Sequence, residues 1–150
     1  MNVVDTSGWL AYFSVEPYTE RFEKLITDPD SLITAKIILY EVFKVVLPES
    51  GENEALQTIA AMKKGKVVDL TTPIALAALK LSLEYELPQG DNIIFTTAKQ
   101  FDAVNRTLNS HFKNIKGVKY FKKNEQYQHL TISERIKTAP AQFRHSAENY

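Results

Sequence analysis

Short apolar runs alternate with longer segments of helical period along this chain, and no other feature constrains its fold so strongly. Val3-Val4, Ser31 to Thr34, Lys66 to Leu70, Ala103 to Leu108 and Val118 to Phe121 read as five strands. Between them the spacing predicts helices. Trp9, Leu10 and Phe13 share one helical face, and Glu16-Pro17 opens a second helix with Phe22, Leu25 and Ile26 as its apolar side. Asp28-Pro29-Asp30 is a turn. Ala35 to Val46 reads as a helix that stops before Pro48, Ser50-Gly51 breaks the chain, and Glu52 to Lys64 is helical. Thr72-Pro73 caps a helix running to about Glu86. Pro88-Gln89-Gly90 reads as a loop, after which Asp91 opens a helix to about Phe101. Strands separated by helices pair in parallel and are covered on both faces, so an α/β fold is expected.

The chain has 150 residues, enough for one domain with one sizeable core. The pattern holds over residues 1–123. Beyond Lys123 the sequence is dominated by Gln, His, Ser, Asn and Glu, so residues 124–150 are expected to be a loosely packed or partly disordered extension, partly helical around Ile132 to Lys137. There is no cysteine, which excludes disulfides, thiolate metal sites and cysteine nucleophiles and fits a cytoplasmic protein. No leader peptide is evident, and no stretch approaches the ~20 apolar residues of a membrane span. Lys+Arg and Asp+Glu are both 18, so no argument for a nucleic-acid partner comes from bulk charge.

Three carboxylates stand where open α/β sheets place their sites, at strand ends and helix starts. Asp5 ends the first strand, a position that also suits a helix N-cap. Asp91 follows Gly90 and invites the same plain reading. Glu41 is more informative. Its helical neighbours are Ile37, Ile38, Lys44 and Val45, so its carboxylate lies in a largely apolar stripe and needs a cation or hydrogen bonds. Contact with Lys44 alone would also satisfy it. If the three converge, their oxygens suit a hard divalent cation such as Mg²⁺ or Mn²⁺, which activates water and neutralises charge on a phosphodiester.

Other candidates are weaker. His111, His129 and His145 lack metal-ligand spacing and read as surface residues. Ser7 has no nearby His. Asp5-Thr6-Ser7-Gly8 matches neither the dinucleotide fingerprint nor the P-loop. Trp9, Tyr12 and Phe13 read as core, and Asp69, which also ends a strand, is followed by a plain capping segment, Leu70-Thr71-Thr72-Pro73. Lys113, Lys116, Lys119, Lys122 and Lys123 form a basic stretch that reads first as a solvated face and secondarily as a contributor to phosphate binding.

Val3-Val4-Asp5-Thr6-Ser7, Leu39-Tyr40-Glu41-Val42, Leu87 to Ile94 with Thr97-Ala98, and Thr107-Leu108-Asn109-Ser110-His111-Phe112 followed by Ile115 to Val118 resemble, in order and spacing, the PIN-domain family and within it the VapC-like toxins. The resemblance covers roughly residues 1 to 121. It implies a three-layer α/β/α fold with a short, mainly parallel sheet. It also implies a Mg²⁺- or Mn²⁺-dependent endoribonuclease acting on transfer or ribosomal RNA, homodimers, and a small antitoxin as partner. By position, Asp5, Glu41 and Asp91 match the family's acidic residues. Asn109 stands where the family usually has another, and His111 at a second position that is often acidic. That departure supports an alternative, a PIN-like scaffold of weak or lost activity that binds RNA or a protein.

Overall fold

The computed structural model describes residues 1–14 and 19–123. Five strands form one sheet: β1 (Asn2–Val4), β2 (Leu32–Ala35), β3 (Lys66–Val68), β4 (Val104–Thr107) and β5 (Val118–Tyr120). Their order is β3-β2-β1-β4-β5, and every pairing is parallel. Helices α1 (Thr6–Tyr12), α2 (Thr19–Ile26), α3 (Lys36–Met62), α4 (Thr72–Glu84) and α5 (Gln89–Gln100) make it a three-layer α/β/α domain. No helix of the described residues is long and apolar enough to cross a membrane.

The core explains why the inner strands are so apolar. Val3, Val4, Leu32 and Ile33 are fully buried, as expected of parallel strands covered on both faces. Trp9 and Phe22 bring α1 and α2 onto this core, and Ile38, Val42 and Val46 bring α3, at intervals of four residues along one helical face.

Two boundaries differ from the sequence expectation. The helix beginning after Ala35 does not stop before Pro48. It runs past it and is interrupted at Gly51, whose φ of 84° and ψ of 173° are not helical. Proline removes one hydrogen bond and crowds the preceding turn, but the glycine, free to take positive φ, is what turns the chain. Gln89 and Gly90 are not loop but the first residues of α5, with Pro88 at the N-cap. Asp91 is therefore in the first turn of α5 rather than its cap, a position where the helix dipole favours a carboxylate. The turn at Pro29 and the segment Ser110–Phe112 are short 3₁₀ turns. The start of the second helix at Glu16-Pro17, His129, His145 and the expected helix around Ile132 to Lys137 lie outside the described residues.

The strand order positions the site. From β1 the chain steps one way to β2 and β3, then crosses back to β4 and on to β5. The switch point lies between β1 and β4, and open parallel sheets hold ligands outside the carboxyl ends of the strands there.

Candidate active site

Asp5 follows β1 directly, and its backbone N–H donates to the Arg106 carbonyl of β4 at 3.1 Å. Val4 pairs with Arg106, so the next residues in register are Asp5 and Thr107, at the carboxyl ends of the two strands flanking the switch point. Asp5 is 2% exposed. It does cap α1, with Oδ1 accepting from the Gly8 N–H at 3.1 Å. It does more than cap, because Oδ1 also accepts from the Ser7 hydroxyl at 2.6 Å and Oδ2 from the Thr107 hydroxyl. Burial pushes its carboxyl up to about 6, against the lowering effect of these donors, and Asp91 adds a smaller push.

Glu41 reaches the same place from α3. Its Oε2 accepts from the Thr6 hydroxyl, so the residue after Asp5 fixes the second carboxylate. Burial again raises its pKa most, Thr6 opposes, Asp91 adds repulsion, and Lys44 contributes the smallest lowering effect. The plain reading of Glu41 as a partner of Lys44 is thus secondary to Thr6. Gly90, in the first turn of α5, faces Glu41 so closely that a Cβ there would overlap Oε1.

Asp91 completes the group. Its Oδ2 accepts from Asn109 Nδ2 at 3.1 Å and lies 3.5 Å from His111 Nδ1. Its pKa is raised by burial, with His111 and Asn109 opposing. Asn109 Oδ1 in turn accepts from the His111 N–H at 3.0 Å, so Asn109 both caps the 3₁₀ turn and orients a site carboxylate.

Asp5, Glu41, Asp91 and Asn109 all line one cleft of about 260 Å³, with Thr6, Ser7 and Lys123 among the other lining residues. Among the described residues no three acidic or histidine side chains are already drawn together as a finished metal cage. The donors nonetheless fit a hard divalent cation. Three carboxylates face one cleft, and burial raises each above its ordinary pKa by more than Lys44 near Glu41 or His111 beside Asp91 lowers it. Glu41 Oε1 and Asp91 Oδ1 accept no hydrogen bond among the described residues, which leaves these two carboxylates one oxygen each to offer. Divalent ions of this kind keep several waters and need only a few protein oxygens.

Sequence reading missed three contributors. Thr107 and Ser7 act on Asp5 and Thr6 acts on Glu41, while His111, exposed as expected and at a position the resemblance singled out, sits against Asp91. Asp69 lies elsewhere, paired with Lys36, and Thr71, within the expected capping segment Leu70 to Pro73, caps α4.

A family model for the PIN domain matches residues 3–118. The chain belongs to the PIN-domain family. Three solved structures share its PIN fold. A toxin–antitoxin complex from Klebsiella pneumoniae superposes with a TM-score of 0.71 and 23% identity, over 83% of this chain and 100% of that one. VapBC2 from Rickettsia felis, bound to a DNA fragment from its promoter, gives 0.64 and 17% over 82% of this chain and 98% of that one. VapC20 from Mycobacterium tuberculosis, a toxin that cleaves the sarcin–ricin loop, gives 0.60 and 17% over 75% and 92%. The fold is therefore that of VapC-like PIN domains. No curated protein matches the chain by sequence.

Proposed function

We propose that this PIN domain is a Mg²⁺- or Mn²⁺-dependent endoribonuclease, the toxin of a toxin–antitoxin pair, cleaving structured RNA such as transfer or ribosomal RNA in the cytoplasm. The observation that carries the reading is the assembly of Asp5, Glu41 and Asp91 on one cleft at the sheet's switch point. A divalent cation there would supply charge neutralisation at a phosphodiester and activation of a water. Asp5, Glu41 and Asp91 would hold it. The chain's own contribution is preorganisation. Ser7, Gly8 and Thr107 fix Asp5, Thr6 fixes Glu41, and Asn109 with His111 fixes Asp91, so the carboxylates need little rearrangement to act together.

Two partners follow. The antitoxin is a small protein, in line with the toxin–antitoxin assemblies that share the fold. The homodimer is supported by α4, where Leu76, Leu79 and Leu83 stand 60%, 63% and 85% exposed on one side of the helix. An apolar stripe of that kind on a helix otherwise packed against α5 suits a second copy of the chain.

The alternative is a scaffold of weak or lost activity that binds RNA or a protein. Asn109 favours it, because it brings no charge where a carboxylate would raise the site's affinity for cations. Cleavage of RNA that starts with Mg²⁺ or Mn²⁺, stops with EDTA and falls severely in Asp5→Asn supports the enzyme. RNA binding with no cleavage under any of these conditions supports the scaffold.

A further inference from the structure

We propose that the β5 side of the cleft is the track for the substrate's phosphate backbone, with Lys123 holding a phosphate next to the one that reacts. This rests on the ribonuclease reading above. The cleft is acidic on the sides formed by Asp5, Glu41 and Asp91, and a polyanion entering it meets repulsion at every phosphate except the one a divalent ion would neutralise. The counter-charge for the neighbours has to come from the chain, and Lys123 lines this cleft. Its ammonium makes no ion pair with any of the three carboxylates among the described residues.

The fold explains how it arrives there. The Phe121 N–H donates to the Thr107 carbonyl at 2.8 Å, the same Thr107 whose hydroxyl donates to Asp5. The chain therefore leaves β5 directly beside the switch point, and two residues later Lys123 is at the cleft. Phe121 is held by Phe22, ring centroids 5.5 Å apart, which anchors this exit on the core. Two more cations gather on the same ring. Arg21 lies 5.7 Å and Lys119 5.9 Å from its centroid. Cations thus mark the β5 side, while Glu41 stands on α3. All five lysines of the basic run are exposed, as a solvated face requires, and of the five Lys123 lines the cleft. Lysine meets phosphate as a flexible point charge, which suits backbone contact without base readout.

The test measures binding of a fluorescein-labelled single-stranded RNA of about 12 nucleotides to the full chain in EDTA, across a salt series. Wild type, Lys123→Ala, Lys123→Arg, Lys119→Ala and, as a remote control on α4, Lys80→Ala are compared. Losing one phosphate contact on a single strand lowers the slope of log affinity against log salt by about 0.7. Lys123→Ala is expected to show that loss with about fivefold weaker binding at low salt, Lys119→Ala a smaller one, and Lys123→Arg and Lys80→Ala neither. In cleavage assays with Mn²⁺, Lys123→Ala should raise KM and leave kcat nearly unchanged. A wild-type slope and affinity in Lys123→Ala, or an equal loss in Lys80→Ala, overturns the track while leaving the ribonuclease reading intact. A wild-type chain that neither binds nor cleaves RNA overturns that reading, and the track with it.

Discussion

Asn109 donates from Nδ2 to Oδ2 of Asp91 at 3.1 Å while its own Oδ1 accepts from the His111 N–H at 3.0 Å. One amide thus joins the turn after β4 to the carboxylate of a helix eighteen residues earlier. It orients Asp91 without adding charge. Asn109→Asp turns that donor into a second carboxylate beside Asp91. Metal affinity rises with the number of anionic ligands, so Mn²⁺ should bind more tightly. In EDTA the same substitution should lower Tm, because it places like charges side by side and loses a hydrogen bond. Unchanged affinity and unchanged Tm in calorimetry would leave Asn109 as a turn residue only.

Asp5 carries a pH signature. Its folded pKa is pushed up to about 6 from 3.8, so the folded state holds the proton more tightly than the unfolded chain. The associated stability is fully present below about pH 4 and is lost as pH rises through 6. Ionising Asp5 in the metal-free protein therefore costs on the order of 3 kcal/mol by pH 7. Asp5→Asn should raise Tm in EDTA at pH 7.5 by several degrees, at about 3 °C per kcal/mol, with the advantage shrinking toward pH 4.5. An equal fall in Tm at both pH values would show that the hydrogen bonds from Ser7, Thr107 and Gly8, not ionisation, dominate.

Gly90 separates stability from function. Its φ is not positive, so the backbone accepts alanine, and alanine favours a helix by up to about 1 kcal/mol over glycine. A Cβ would nevertheless overlap Glu41 Oε1, the far end of a flexible side chain that can swing away. Gly90→Ala should keep or raise Tm and weaken Mn²⁺ binding and RNA cleavage together. Full activity would show that the place of the Glu41 carboxylate is not critical.

Much of this was legible in the sequence, for reasons specific to each residue. Val3-Val4 and Leu32-Ile33 carry the short apolar runs of doubly covered strands, so the sheet could be read directly. Asp5 and Asp91 stood out by position, and Glu41 because Ile37, Ile38 and Val45 surround it on its helix. Thr107 and Thr6 could not be found in this way. A threonine hydroxyl leaves no periodic mark, and its partnership with Asp5 depends on the β1–β4 register, which joins segments about one hundred residues apart. Gln89 and Gly90 looked like loop because glycine and proline are poor helix formers, yet Pro88 serves as the cap and Glu41 Oε1 packs where a Cβ on residue 90 would stand. Pro48 was overvalued as a stop for the same reason: the break came three residues later, where Gly51 could adopt positive φ.

The apolar stripe on α4 predicts association. Light scattering at micromolar concentration should give the mass of a dimer, and Leu79→Lys with Leu83→Lys should give a folded monomer, since both side chains are exposed and leave the core untouched. A monomer mass for the wild type would mean that this face serves something other than a second copy.

Asp5, Glu41 and Asp91 holding one divalent cation between them can be seen by calorimetric titration of Mn²⁺ into the metal-free protein. Wild type should bind Mn²⁺ with release of protons at pH 6, because the carboxyls must ionise to act as ligands. Asp5→Asn, Glu41→Gln and Asp91→Asn should each weaken binding about tenfold or more while remaining folded, an amide being a poorer ligand for a hard cation. Three variants that bind Mn²⁺ as the wild type does would mean that these carboxylates do not hold the ion.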